Sequence, residues 1–298
     1  MNDFVVGRIN HAIFEEYLTA VKNLDVKFSD TLEKVLDENK EITGYGELLP
    51  DFKAILSESI EKANGRFVEP GDDEEEFGET LSEMTKKIIL SQKDELFVKI
   101  LPSVVAFSKF FSGMKVYRLE EQYTAHPKND DGTPKKYYFD GRIDCILKSE
   151  SADDEKTKFF IIDFKTGGIP NTILFDEEKP SELPDFQMPI YRKIFFEGEK
   201  YANGENIEPA NYFFFSIKNC TVNGKTKVEN AFLDLDEFDK TCRKCDELIE
   251  DFVLRIQNLD FSIDEKIQKK SLCTAKGGAM SCKDYQSVCR RFFTVAGE

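Results

Sequence analysis

The chain has 298 residues, 40% of them apolar, with 27 phenylalanines and no tryptophan, which is enough for a sizeable core in one elaborated domain spanning 1–298. Against 41 Lys and Arg stand 57 Asp and Glu, a formal charge of −16. That balance excludes a protein whose whole face is a nucleic-acid footprint, but not a locally basic groove or a cation-binding cleft. No apolar run approaches the ~18–20 residues of a membrane span, and no basic region precedes an apolar core at the start. Seven cysteines in that setting read as cytosolic thiols, so the expectation is a cytoplasmic protein with no membrane partner.

Residues 4–22 carry Val6, Ile9, Ile13, Tyr17, Ala20 and Val21 at helical spacing. Residues 25–112 read as a mostly helical insertion, interrupted by the acidic turn GRFVEPGDDEEEF, whose run of charge reads as a solvated loop. The period changes at 115. KVYRLEEQYTA, KKYYFDGRIDCILKS and KTKFFIIDFKT read as three strands of an antiparallel meander, separated by the turns HPKNDDGTP and ESADDE. A helix follows around 186–198, NYFFFSIKN is a fourth strand, and VENAFLDL is expected as a fifth. Residues 236–258 form a last helix, and 271–293 make a tail with three cysteines. This order predicts an α/β sandwich with one central sheet, flanking helices and a helical insertion.

In the third strand, Ile161, Asp163 and Lys165 share one face, ~6.5–7 Å apart, while Ile162 and Phe164 fill the other. An isolated charge buried there would cost several kcal/mol. An Asp–Lys pair could satisfy itself, but the preceding strand adds Asp144 among Ile143, Cys145, Ile146 and Leu147. Two converging carboxylates repel unless a cation lies between them, and oxygen ligands suit magnesium or manganese.

GRID on one strand followed by IIDFKTGG on the next resembles the core of the PD-(D/E)xK nucleases, with Asp144 as first acid and Asp163–Phe164–Lys165 as the acid-x-Lys element. Gln187 and Tyr191 in FQMPIY match the Gln-x-x-x-Tyr motif of the RecB-like branch, on a helix that Asp185 can cap and whose first turn tolerates Pro189. Gly7 and His11 match that branch's Gly-x-x-x-His helix, and the order of elements is also the family's.

The resemblance implies a restriction-endonuclease-like core with a mixed sheet, and a divalent-metal-dependent DNA nuclease. It implies exonuclease action in recombination and repair, freestanding or as the nuclease domain of a helicase–nuclease subunit. His11, Asp144, Asp163 and the Phe164 carbonyl would hold Mg2+ or Mn2+. Lys165 would orient or deprotonate the attacking water, Gln187 would position Lys165 or the water, and Tyr191 would contact the nucleic-acid backbone. Glu121 matches an acidic position on the family's first strand, with Glu120 beside it leaving the register open; a solvent-facing glutamate is the alternative. Arg8, Arg142, Arg192 and Lys193 are basic residues near the site in sequence, and His126 reads as a solvated loop residue.

The tail also resembles those RecB-like members, AddB-type and CRISPR-adaptation nucleases, that hold a [4Fe–4S] cluster through Cys-x2-Cys-x5-Cys and an upstream cysteine. Here Cys273, Cys282 and Cys289 are separated by eight and six residues, and Lys283 stands where the middle cysteine aligns. An intact cluster, a degenerate site, and a longer parent supplying the fourth ligand remain open. Cys242 and Cys245 read as packing residues on a helix, Cys145 and Cys220 as strand residues. No Walker-type loop is present, so the chain is not a motor. The alternative to an active nuclease is a catalytically idle nuclease fold that binds DNA or a partner subunit.

Overall fold

The computed structural model describes residues 3–28, 52–65, 83–129, 131–149, 157–166, 169, 173–178, 183–203 and 209–258. The acidic turn at 66–77 and the cysteines Cys273, Cys282 and Cys289 lie outside the described residues. The chain divides into two compact units, Met1–Cys245 and Asp246–Glu298.

In the first unit, helix α1 (Asp3–Asn23) precedes α2 (Phe52–Gly65), α3 (Glu83–Ser91) and α4 (Lys93–Phe110). Three strands follow, β1 (Lys115–Ala125), β2 (Phe139–Ser149) and β3 (Lys158–Lys165). Helix α5 (Gln187–Asn203) then leads to β4 (Pro209–Ser216), the short β5 (Thr221–Val222) and α6 (Leu235–Gln257). Only the second half of α6 belongs to the described part of the second unit, where Phe252, Leu254 and Ile256 are exposed. Among the described residues no helix is long and apolar enough to cross a membrane.

The sheet runs β1-β2-β3-β4-β5. The first three strands form the expected antiparallel meander, and the crossover through α5 makes β3 and β4 parallel, so the sheet is mixed. Alternation along β3 sorts the core. Phe160, Ile162 and Phe164 join α1, α2 and α4 on one face, while Phe159 and Ile161 join α5 and the start of α6 on the other. The phenylalanines concentrate on the first face: Phe14 meets Phe164 at 5.1 Å and stacks on Phe215 at 5.6 Å, and Phe107 meets Phe215 edge-on at 5.1 Å. This cluster clamps the backbone at Phe164, between Asp163 and Lys165.

The expected fifth strand at 228–235 does not form. Val228–Asn230 is a turn of 3-10 helix, and the edge partner of β4 is Thr221–Val222. Two asparagines explain the substitution. Asn223 Oδ1 accepts the Phe214 N–H at 2.7 Å while its Nδ2 donates to the carbonyls of Tyr212 and Ala231. Asn211 accepts from the Leu233 N–H and donates to its carbonyl. Side-chain amides thus satisfy backbone groups that a ladder would have used. Cys220 likewise leaves the sheet, lying in the turn after β4 with φ 53°. Cys145, Cys242 and Cys245 are buried.

Candidate active site

Asp144 and Glu120 occupy opposite positions of the β1–β2 ladder, between the pairs Leu119–Cys145 and Glu121–Ile143. Both strands roll over at this point. Ile143 packs toward α5 but Cys145 toward α1, and Leu119 packs toward α1 but Tyr123 and Ala125 toward α5. Glu120 supplies the local distortion, with φ 49°, a backbone conformation rarely adopted by residues other than glycine. Like charges directly opposite in a sheet repel, so this roll needs a compensating charge.

His11 on α1 supplies part of it. Its Nε2 lies 3.5 Å from Asp144 Oδ2, and one ligand atom each from His11, Glu120 and Asp144 fall within 4.8 Å of one another. Burial pulls the imidazole pKa down, but the hydrogen bond and charge of Asp144, with Glu120 and Glu15 behind, outweigh it and leave His11 raised. Burial, then the charges of Glu15 and Asp144, push the Glu120 carboxyl up to about 7 against the pull of Arg142 and His11. Arg142 Nε lies 2.7 Å from Glu120 Oε2, yet both Glu120 oxygens are buried and accept no hydrogen bond among the described residues.

The second half of the site stands on β3. Lys165 Nζ contacts Asp163 Oδ2 at 2.6 Å and donates to Gln187 Oε1 at 2.7 Å. Gln187 Nε2 donates to Asp163 Oδ1 and to the Tyr191 hydroxyl, and that hydroxyl donates to Asp163 Oδ1 at 3.3 Å. Helix α5 starts where it does because Asp185 Oδ2 accepts the Met188 N–H at 2.9 Å and Pro189 falls within the first turn. One helical turn then separates Gln187 from Tyr191, which puts both over β3. Asp163 is only 2% exposed. Burial, then the Asp144 charge, raise its carboxyl to about 7 despite Lys165. Burial and the two aspartates also push the Tyr191 phenol up, which keeps it a hydrogen-bond donor.

Asp144 joins the halves. Its Oδ2 accepts the Phe164 N–H at 2.8 Å where β2 has left β3. A strand residue directs its N–H and C=O to the same side. The Lys165 carbonyl faces β4, accepting from the Ile217 N–H, so the Phe164 carbonyl faces the Asp144 side.

The structure therefore brings His11, Asp144 and Glu120 together, and separately Asp163, Lys165, Gln187 and Tyr191. Glu121 is not in the group; its nearest cation is Arg118 at 3.9 Å. Tyr191 is buried against Asp163, not presented to the surface. Arg192 pairs with Asp239 at 2.6 Å, and Lys193 lies 6.0 Å from the Phe139 ring. The Arg8 side chain lies outside the described residues, and His126 is exposed. The register that the sequence left open between Glu120 and Glu121 falls to Glu120, because a bulge between Val116 and Arg118 and the left-handed turn at Glu120 reset the two-residue period.

Carboxylates with raised pKa values, one imidazole and a buried carboxylate oxygen lacking a donor fit a hard or borderline divalent cation. Gly7 serves this arrangement, since a Cβ there would sit 2.9 Å from Thr166 Oγ1, just past Lys165. Gly7→Ala should tilt α1 away from β3 and weaken manganese-induced thermal stabilisation. Adding Thr166→Ala should restore part of it, measured by melting with and without the ion.

A search of the curated proteins found no match. A family model described as the PD-(D/E)XK nuclease superfamily matches residues 1–290, nearly the whole chain and every element that builds this site. The mixed sheet and flanking helices agree with the restriction-endonuclease-like fold of that family, and the chain belongs to the PD-(D/E)XK nuclease superfamily.

Proposed function

We propose that this nuclease is a DNA exonuclease of the RecB-like, AddB-type branch, served by Mg2+ or Mn2+ and acting in recombination and repair. The observation that carries the reading is Lys165, held between Asp163 and Gln187 at the side of the His11–Glu120–Asp144 cluster. A structural ion pair needs neither the glutamine clamp nor a second group of acids.

In this proposal His11, Asp144, Asp163 and the Phe164 carbonyl hold the ion, with Glu120 as a further carboxylate. The ion, when bound, polarises a phosphate oxygen and lowers the pKa of a coordinated water. Lys165 orients that water as an ammonium, or takes its proton from the neutral amine form, and as the ammonium offsets charge at the phosphate in the transition state. Gln187 fixes the Lys165 ammonium through Oε1 and the Asp163 carboxylate through Nε2. Tyr191 holds Asp163 from behind. The residues present favour activity over an idle scaffold, because no acid and no lysine of the motif is missing.

We also propose the chain as freestanding or as the nuclease part of a helicase–nuclease assembly, in the cytoplasm. Cys273, Cys282 and Cys289 offer three thiolates where a [4Fe–4S] cluster normally takes four, so a divalent ion is proposed as the cofactor this chain holds by itself.

Covalently closed and linear DNA separate the modes. With manganese, linear single- or double-stranded DNA should be consumed from its ends while closed circles persist. Nicked or linearised circles would replace exonuclease by endonuclease action, and intact DNA of every form would leave the scaffold.

A further inference from the structure

Beyond Cys145, β2 no longer pairs with β3. Residues 139–143 continue with β1 alone, through Glu121–Ile143, Tyr123–Gly141 and Ala125–Phe139. The result is a two-stranded arm that leaves the sheet at the acid cluster, on the side where β3 ends in Lys165. Helix α5 braces it: a Cβ on Gly141 would lie 3.2 Å from Ile194 Cδ1, and Glu197 Oε2 accepts the His126 N–H at 2.6 Å.

The arm's tip differs from the rest of this acidic chain. It presents Tyr138, 63% exposed, with the His126 ring at 5.7 Å and 34° to it. Lys128, Lys135 and Lys136 flank these rings in sequence, and Lys135 lies 5.9 Å from the Tyr137 ring. Lys128 and Lys136 are exposed and form no ion pair with described residues. The described acids of the tip, Asp131 and Asp140, are held by neutral donors and keep their charge. Asp131 Oδ1 is taken by the Thr133 N–H and hydroxyl, and Asp140 Oδ1 by Gln122 and Thr124. The loop is ordered by its own hydrogen bonds, Asn129 N–H to Thr133 O at 2.8 Å and Lys135 N–H to Pro127 O at 2.8 Å.

Resting on the nuclease reading above, we infer that the β1–β2 arm is a second nucleic-acid contact, which takes a single strand leaving the active site. Tyr138 offers a ring for a base to stack on, and Lys128 and Lys136 neutralise backbone phosphates. An exposed ring beside Lys128 and Lys136 supplies the elements of sequence-tolerant single-strand binding. Six residues at ~3.3 Å each place the tip about 20 Å from Asp144. At ~3.4 Å per stacked nucleotide, that is about six nucleotides. The arm therefore discriminates by length and not by sequence.

The test uses the full chain and its Tyr138→Ala, Tyr138→Phe and Lys128→Ala/Lys136→Ala variants. Anisotropy of a labelled 20-nucleotide single strand gives binding, and kcat/KM with manganese is measured on that strand and on a tetranucleotide too short to span the arm. Tyr138→Ala should weaken 20-mer binding about tenfold, with Tyr138→Phe near wild type. The double lysine variant should flatten the salt dependence, cutting the log–log slope by about 1.4. All variants should match wild type on the tetranucleotide. Variants that bind and cleave the 20-mer like wild type would overturn the arm and leave the nuclease standing. A wild type that binds no 20-mer would also overturn the arm, and only failure to cleave linear DNA of either form would overturn the nuclease reading with it.

Discussion

Replacing Asp163 by asparagine should cut cleavage at least about 10³-fold while leaving the metal-free protein no less stable at pH 8. The two halves of this result have different causes. The loss of activity follows if Asp163 is, as proposed, a carboxylate that the cation and Lys165 both need; single electrostatic groups at such sites are worth ~10²–10³ in kcat, and a metal ligand supports more than one of them. The retained stability follows from burial. Asp163 is 2% exposed, beside Asp144, and its carboxyl is raised to about 7, so at pH 8 the fold carries a charge it disfavours. Asparagine keeps an Oδ1 acceptor for Gln187 and Tyr191 and removes that charge. The Lys165 ammonium loses Oδ2 but retains Gln187 Oε1 and can move toward solvent. A melting temperature several degrees below wild type, with activity lost, would mean that Asp163 is first of all the structural partner of Lys165.

The second large effect is a reversal of pH dependence by metal. Asp163 and Glu120 are raised to about 7 by burial and neighbouring acids. For each, the stabilising proton is fully present below the unfolded pKa, near 4, and is lost as pH rises through 7. His11, raised above 6.5 against the pull of burial, acts in the same direction: its protonated form contributes below 6.5, and that contribution goes as pH climbs through the folded value. Between pH 6 and pH 8 the metal-free protein should therefore lose stability. Manganese, on the proposed ligand set, would bind the deprotonated groups and should do the opposite, raising the melting temperature by about 5 °C or more at pH 8, and by much less at pH 6. The size follows from ~2.7 kcal/mol at a hundredfold excess over Kd, and about 2–4 °C per kcal/mol for a domain approaching this size. Equal manganese shifts at both pH values would remove these groups from the ligand set.

The meander was legible because β1, β2 and β3 keep the composition and turn signals of strands, and α1 because its apolar positions recur with the helical period. Asp144, Asp163 and Lys165 could be singled out because charges in near-continuous apolar runs have no inexpensive structural reason. The choice between Glu120 and Glu121 stayed open, since parity along β1 fails twice: at the bulge after Val116 and at the left-handed Glu120 itself. The edge of the sheet was illegible for a related reason. VENAFLDL alternates well enough for a strand, but Asn211 and Asn223 had already filled the hydrogen-bonding positions with side-chain amides, which no hydrophobic period reports. Tyr191 shows a third kind of gap. Its spacing from Gln187 places it on the right face of α5, but only the packing shows its hydroxyl turned inward to Asp163.

The central claim is that Lys165 serves a water beside a metal held by the acids, and is not simply half of an ion pair. The direct measurement compares wild type with Lys165→Ala on end-labelled linear DNA with manganese, alongside the manganese-induced melting shift of each. The account predicts metal-dependent cleavage by wild type, a loss of about 10²–10⁴-fold in Lys165→Ala, and a melting shift that survives in the variant because the ligands remain. Cleavage by Lys165→Ala at the wild-type rate, or no manganese shift in either protein, would contradict it.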